Sequence, residues 1–191
     1  MIKKLNKYSY AHGTRYLDNG SRNYDIAGYR LPSVTTILGR TKDDTYLRKW
    51  IAQKGKEEAE RIKTQSATRG TSMHKYLENY VLGRGYEDLT ELGQETKRMA
   101  EKVIEVGLAP VSGFYGSEVT LYYPGLYAGQ TDLVGIHNDK ETIIDFKQAN
   151  KPKREEWIGD YKLQAGAYAM AHDYVHGSNI EQAVIMVCTP D

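Results

Sequence analysis

The stretch GQTDLVGIHNDKETIIDFKQANK, residues 129–151, limits the fold of this chain more than any other. Apolar residues on either side of His137-Asn138-Asp139-Lys140 follow the pattern of strands joined by a tight turn. A two-residue turn at Asn138-Asp139, or a four-residue loop over the whole tetrapeptide, gives the same register. Asp132 then faces Asp145, and Gln130 faces Lys147. Opposed residues share a face of a sheet, as do residues two apart on one strand, so Asp132, Asp145 and Lys147 converge on one side. A three-residue loop would put the aspartates on opposite faces.

Opposed side chains have Cβ atoms about 5 Å apart. Two full charges at that distance repel by roughly 3 kcal/mol at an effective dielectric of about 20. A sequence shaped by stability alone avoids such a pair unless something positive offsets it. A shared proton or a divalent cation would do so. Lys147 alone would offset part of the repulsion and leave a salt-bridged sheet face.

Further candidate ligands lie elsewhere. The segment TRGTSMHKYLENYVL reads as a helix from about Thr68 to Leu82, with Gly70, His74, Leu77, Glu78 and Val81 on one face. Gly70 lets that helix approach another backbone closely, and Glu78 is placed to orient the His74 imidazole or to bind through water. A single histidine on a helix is by itself an ordinary residue. In GSEVTLYY, Glu118 falls opposite Asp132 if Pro124-Gly125-Leu126 forms a three-residue loop, and not if the loop has two residues. Carboxylates with one imidazole suit Mg²⁺ or Mn²⁺ better than zinc. A hard cation beside a lysine is chemistry for phosphate esters.

Around this hairpin the chain reads as one mixed α/β domain over residues 1–191. Asn19-Gly20 marks an N-terminal hairpin, and Ser33 or Thr35 caps a helix after Pro32. Helices are expected over about 45–63, 68–82, 92–106 and 155–176. YGSEVTLYY, YAGQTDLVGI and ETIIDFKQ form a meander, and AVIMVC is a last strand. With 40% hydrophobic and 27% charged residues the composition is globular. The net charge of +1 excludes a polycation, so nucleic acid would be held by local patches. One patch, Lys151, Lys153 and Arg154, leaves the acidic hairpin directly; a second, interrupted by acids, runs from Arg40 to Arg69. Trp50, Trp157 and tyrosines such as Tyr16, Tyr24 and Tyr29 offer stacking surfaces for unpaired bases. One cysteine, Cys188, rules out a disulfide framework and a cysteine-built metal centre. The start lacks the apolar run of a signal peptide and no stretch nears the roughly 20 residues of a membrane span, so the expectation is a cytoplasmic protein with no membrane partner.

The motifs also resemble a family. GQTDLVG followed by IIDFK has the form of the PD-(D/E)XK nuclease signature, with Asp132 and Asp145 as the acids and Lys147 as the lysine. RGTSMHKYLE is similar to the histidine motif of its RecB-like branch, and QAGAY to the Gln-x-x-x-Tyr motif, here Gln164 and Tyr168. LPSVTTIL resembles an opening segment of mitochondrial genome maintenance exonucleases and their bacteriophage relatives. The matches run from about residue 31 to 188. The resemblance implies a restriction-endonuclease-like core, a central mixed β-sheet flanked by helices, after an N-terminal hairpin and helical segment. It also implies Mg²⁺-dependent hydrolysis of DNA, with Mn²⁺ able to substitute. His74, Asp132, Asp145 and the Phe146 carbonyl would be metal ligands, with Glu118 as a further candidate, and Lys147 would be catalytic. Gln164 and Tyr168 would face the substrate or support the site, and Gln130, Lys151, Lys153 and Arg154 would contact DNA. The implied activity is an exonuclease on single-stranded DNA or strand ends, in phage or bacterial DNA processing or recombination, in a host-cell cytoplasm. A structure-specific endonuclease and a non-catalytic DNA-binding module are the alternatives. Two departures stand out: the cysteine cluster of some RecB-like nucleases is absent, and the chain stops after AVIMVCTPD, where the family would continue.

Overall fold

A computed structural model describes the whole chain, Met1–Asp191. Its centre is the expected meander: β5 (Val111–Tyr123), β6 (Tyr127–His137) and β7 (Lys140–Gln148) pair antiparallel. The short β1 (Lys3–Lys4) joins β5 in parallel at one edge, and β8 (Gln182–Cys188) joins β7 in parallel at the other. The sheet order is therefore β1-β5-β6-β7-β8. A parallel pair needs a crossover, which here contains α5 (Gly159–His176).

Strand alternation decides what each face buries. Leu133 pairs with Ile144 and Val134 with Ile143, and all four are fully buried. Leu133 and Ile144 join Met73, Leu77, Val81, Met99 and Phe146 under α3 (Lys56–Val81) and α4 (Glu91–Lys102). Val134 and Ile143 join Val34, Tyr115, Leu121 and Tyr168 on the opposite face, under α1 (Val34–Thr41) and α5. Each such side chain contributes about 1.5–3 kcal/mol on burial. Both faces of the central strands are thus covered by helices.

A second, smaller antiparallel sheet contains β2 (Gly13–Asp18), β3 (Ser21–Ile26) and β4 (Tyr29–Pro32). Its two hairpins turn at Asn19-Gly20 and Ala27-Gly28, all four residues having positive φ, the requirement of a type I′ turn. Tyr24, Ile26 and Leu31 pack it onto Ala128 at the start of β6. Ser33 caps α1, its hydroxyl accepting the Thr36 amide at 3.0 Å.

The helix boundaries differ from the sequence expectation in physically simple ways. Gly55, at φ 84, breaks the first long helical stretch into α2 (Thr45–Lys54) and α3. Downstream of Gly55 the helix runs unbroken to Val81 through the polar stretch TQSATRG, whose residues interrupt an apolar pattern without breaking a helix. After α4 the chain loosens into a π-helical turn, Val103–Gly107. Residues Glu155–Trp157 form a 3₁₀ turn, so α5 begins only at Gly159. No helix is long and apolar enough to cross a membrane.

Candidate active site

Asn138 and Asp139 form the two-residue turn, with φ values of 46° and 62°, and His137 pairs with Lys140. The register carries to Leu133–Ile144 and stops there. Continued for one more step it would set Asp132 against Asp145, the expected opposition, but the two strands part first. Lys147 pairs with Val187 on β8 and Gln130 with Thr120 on β5, so Lys147 and Gln130 are not ladder partners.

The parting creates the site. Phe146 no longer has a β6 partner for its backbone. Its amide donates to Asp132 Oδ2 at 2.6 Å, and its carbonyl oxygen lies 2.7 Å from His74 Nε2. Asp132 Oδ2 is 3.6 Å from the same imidazole nitrogen. A carboxylate from β6 and an imidazole from α3 therefore meet at one peptide unit of β7.

Glu118 completes an acidic corner. Pro124-Gly125-Leu126 does form a three-residue loop, with Tyr123 pairing Tyr127. The pairs on either side, Ser117–Leu133 and Val119–Thr131, place Glu118 across from Asp132. Glu118 itself has φ 53°, left-handed backbone inside a strand, a conformation costing on the order of 1–3 kcal/mol. Gln130 donates to its carboxylate at 2.6 Å. Burial, then the Asp132 and Glu78 carboxylates, push the Glu118 carboxyl up to about 8. Burial likewise raises Asp145 to about 6, against the pull of the Lys147 ammonium.

Lys147 is held from two sides. Its Nζ lies 2.7 Å from Asp145 Oδ2 and donates to Gln164 Oε1 at 2.9 Å. Gln164 in turn donates to the Tyr168 hydroxyl at 3.0 Å. Both α5 residues are buried, 8% and 3% exposed, so the Gln-x-x-x-Tyr pair supports the lysine from beneath. Two contributors escaped the sequence reading. The Tyr161 ring lies under the Lys147 ammonium, 5.2 Å away, and its only signal is its place one helical turn before Gln164. Gly129 leaves room for Tyr168: a Cβ there would stand 2.5 Å from Tyr168 Cε1.

Other expected roles sort differently. Glu78 makes no hydrogen bond to His74; its charge acts on Glu118. Gly70 is not required by close packing, since a Cβ there would meet Gln148 Cβ only at 4.0 Å. Tyr24 is 2% exposed and belongs to the small sheet's core, so it offers bases no stacking face, whereas Trp157 is 57% exposed. Lys151, Lys153 and Arg154 are exposed on the irregular segment after β7, with Arg154 5.1 Å over the Trp157 ring.

No three His, Cys, Asp or Glu side chains stand arranged to hold a metal ion directly. The candidate donors are engaged with one another: His74 and Asp132 on the Phe146 peptide, Asp145 on Lys147. The donor chemistry still fits a hard cation. Asp145 Oδ2 is buried with the Lys147 ammonium 2.7 Å away; Asp132 and the His74 imidazole act on the same carboxylate, and Glu118 adjoins Asp132.

No model of a known protein family matches the chain. It is similar to the mitochondrial genome maintenance exonuclease 1 of Xenopus tropicalis, 27% identical over 184 residues, covering 90% of this chain and 52% of that protein. The Mus musculus protein of the same name is 27% identical over 174 residues, covering 84% and 50%. The chain spans about half the length of these curated relatives. It is distantly similar to proteins named exonucleases, and a mixed sheet flanked by helices is consistent with a nuclease-like core.

Proposed function

We propose that this chain is a divalent-cation-dependent DNA nuclease of the PD-(D/E)XK kind, acting as an exonuclease on single-stranded DNA or strand ends. The observation that carries the reading is the meeting of Asp132, His74, Asp145 and Lys147 where β6 and β7 separate. The distant likeness to proteins named exonucleases supports the direction, and the phage or bacterial DNA-processing setting rests on the motif resemblance.

His74, Asp132, Asp145 and the Phe146 carbonyl would hold Mg²⁺ or Mn²⁺, with Glu118 adjoining. Such a cation, when bound, polarises a phosphoryl oxygen and lowers the pKa of a bound water. The chain's own part is positioning and charge. Gln164 and Tyr161 aim the Lys147 ammonium at the phosphate, where it offsets the negative charge that grows on the non-bridging oxygens. Water attacks phosphorus as the bond to the 3′ oxygen breaks, leaving a 5′-phosphate. Exposed Lys151, Lys153 and Arg154 would draw in the backbone, and Trp157 would stack an unpaired base.

Digestion of end-labelled linear and circular single-stranded DNA with Mg²⁺, with EDTA and with Lys147→Ala tests this reading. Loss of the linear form alone, dependent on metal and on Lys147, is expected. Cleavage of circles would make it an endonuclease. Binding of DNA without any cleavage would overturn the enzymatic reading in favour of a DNA-binding module.

A further inference from the structure

Beside the candidate active site, three donors converge on one acceptor. Asn150 Oδ1 accepts from Ser66 Oγ at 2.9 Å, from Arg69 Nη1 at 2.9 Å and from Gln148 Nε2 at 3.3 Å. An amide oxygen has two lone pairs. A hydroxyl, a guanidinium and an amide pointing at one spot suit an anionic oxygen better, because charge-assisted bonds are shorter and roughly twice as strong.

Arg69 is the donor built into the fold; Ser66 and Gln148 are half-buried, and the acceptor is exposed. Arg69 is 9% exposed, and its Nε is fixed by Glu95 Oε2 at 3.3 Å, which turns Nη1 towards the convergence point. Ser66 and Arg69 stand on α3, and Gln148 ends β7. Asn150 is exposed and lies in a stretch with neither helix nor strand.

Position ties the cluster to the chemistry. Gln148 follows Lys147 and lies two residues past Phe146, about 6.6 Å along the strand. Arg69 precedes His74 by five residues, about 7.5 Å along α3. Both routes lead about 7 Å from the Phe146 peptide that His74 meets, on the α3 face of the sheet rather than the face that carries Lys147.

We propose that Ser66, Arg69 and Gln148 form a phosphate subsite next to the scissile bond, and that Asn150 Oδ1 fills the place of a phosphate oxygen until DNA displaces it. The inference rests on the nuclease reading above. The ligand is a phosphate oxygen, either of an internal phosphodiester or of a terminal 5′-phosphate.

Binding without cleavage tests it. Fluorescence anisotropy would follow oligothymidylate, with and without a 5′-phosphate, on Lys147→Ala protein across a salt series. Arg69→Gln, and the milder pair Ser66→Ala with Gln148→Ala, should weaken binding by about tenfold. Arg69→Gln should also reduce the slope of log affinity against log salt by about one, whereas the neutral pair should leave that slope unchanged. Asn150→Ala should bind as tightly as its parent or several-fold tighter. If the 5′-phosphate adds affinity only when Arg69 is present, the subsite takes a terminal phosphate; if it adds none, an internal one. Asn150→Ala weakening binding in step with a lower melting temperature, with the salt slope of Arg69→Gln unchanged, would overturn the subsite and leave Asn150 a staple between α3 and β7. Failure of the nuclease reading shows separately, as absence of Lys147-dependent cleavage in protein whose salt slope still responds to Arg69.

Discussion

Glu118→Gln should make this protein more stable and less active. In the fold, burial and the facing Asp132 and Glu78 carboxylates raise the Glu118 carboxyl from 4.5 to about 8. The folded state then holds a proton that the unfolded chain releases, so stability falls as pH rises from about 4.5 to about 8. At 1.36 kcal/mol per unit this shift has a ceiling of roughly 5 kcal/mol. Relaxation of the neighbours and partial solvent access cut that to about 2 kcal/mol. Glutamine keeps the shape, tolerates the same backbone and can still accept the bond from Gln130, so the charge is the main change. Urea melts of both proteins in EDTA between pH 5 and 8.5 would measure it. The variant should gain about 2 kcal/mol at pH 8, with the gain shrinking towards pH 5, while cleavage drops at least tenfold. A gain that does not vary with pH, or no gain at pH 8, would refute the reasoning, because the acid corner would then carry no buried charge cost.

Two further expectations come from buried neighbours. His172 is fully buried between the Tyr10 hydroxyl at 3.0 Å and Ser178 Oγ at 2.6 Å, and burial, then His176, lower its pKa to about 4. The unfolded chain takes up that proton first, so stability should fall by up to about 3 kcal/mol as pH drops from about 6.5 to about 4; a His172→Gln variant should lose this slope, and an unchanged slope in melts would exclude His172 as its source. Gly129→Ala should push Tyr168 off Gln164 and loosen Lys147, costing about 1–3 kcal/mol in stability and a larger share of kcat than of KM; full activity would mean that Tyr168 does not set the lysine.

Much of the strand geometry around the candidate site is legible in the sequence. The Asn138-Asp139 turn determines the register of β6 on β7, because only positive-φ residues close so short a loop, and alternation then assigns faces to Leu133, Val134, Ile143 and Ile144. The same logic places Glu118 across from Asp132 once the loop at Pro124 has three residues. These are short-range facts, encoded in neighbouring residues. Packing alone decides the rest. Nothing local says that the ladder stops at Leu133–Ile144, because the Asp132 carboxylate replaces a strand partner only when His74 arrives from a helix 72 residues before Phe146. Nor does local pattern show that Gln164 and Tyr168 turn inward to hold Lys147, or that Arg69 and Asn150 meet across 81 residues. Turn chemistry and alternation act over a few residues and survive in any context. The partner of a buried polar group is chosen by whichever distant element the core brings beside it.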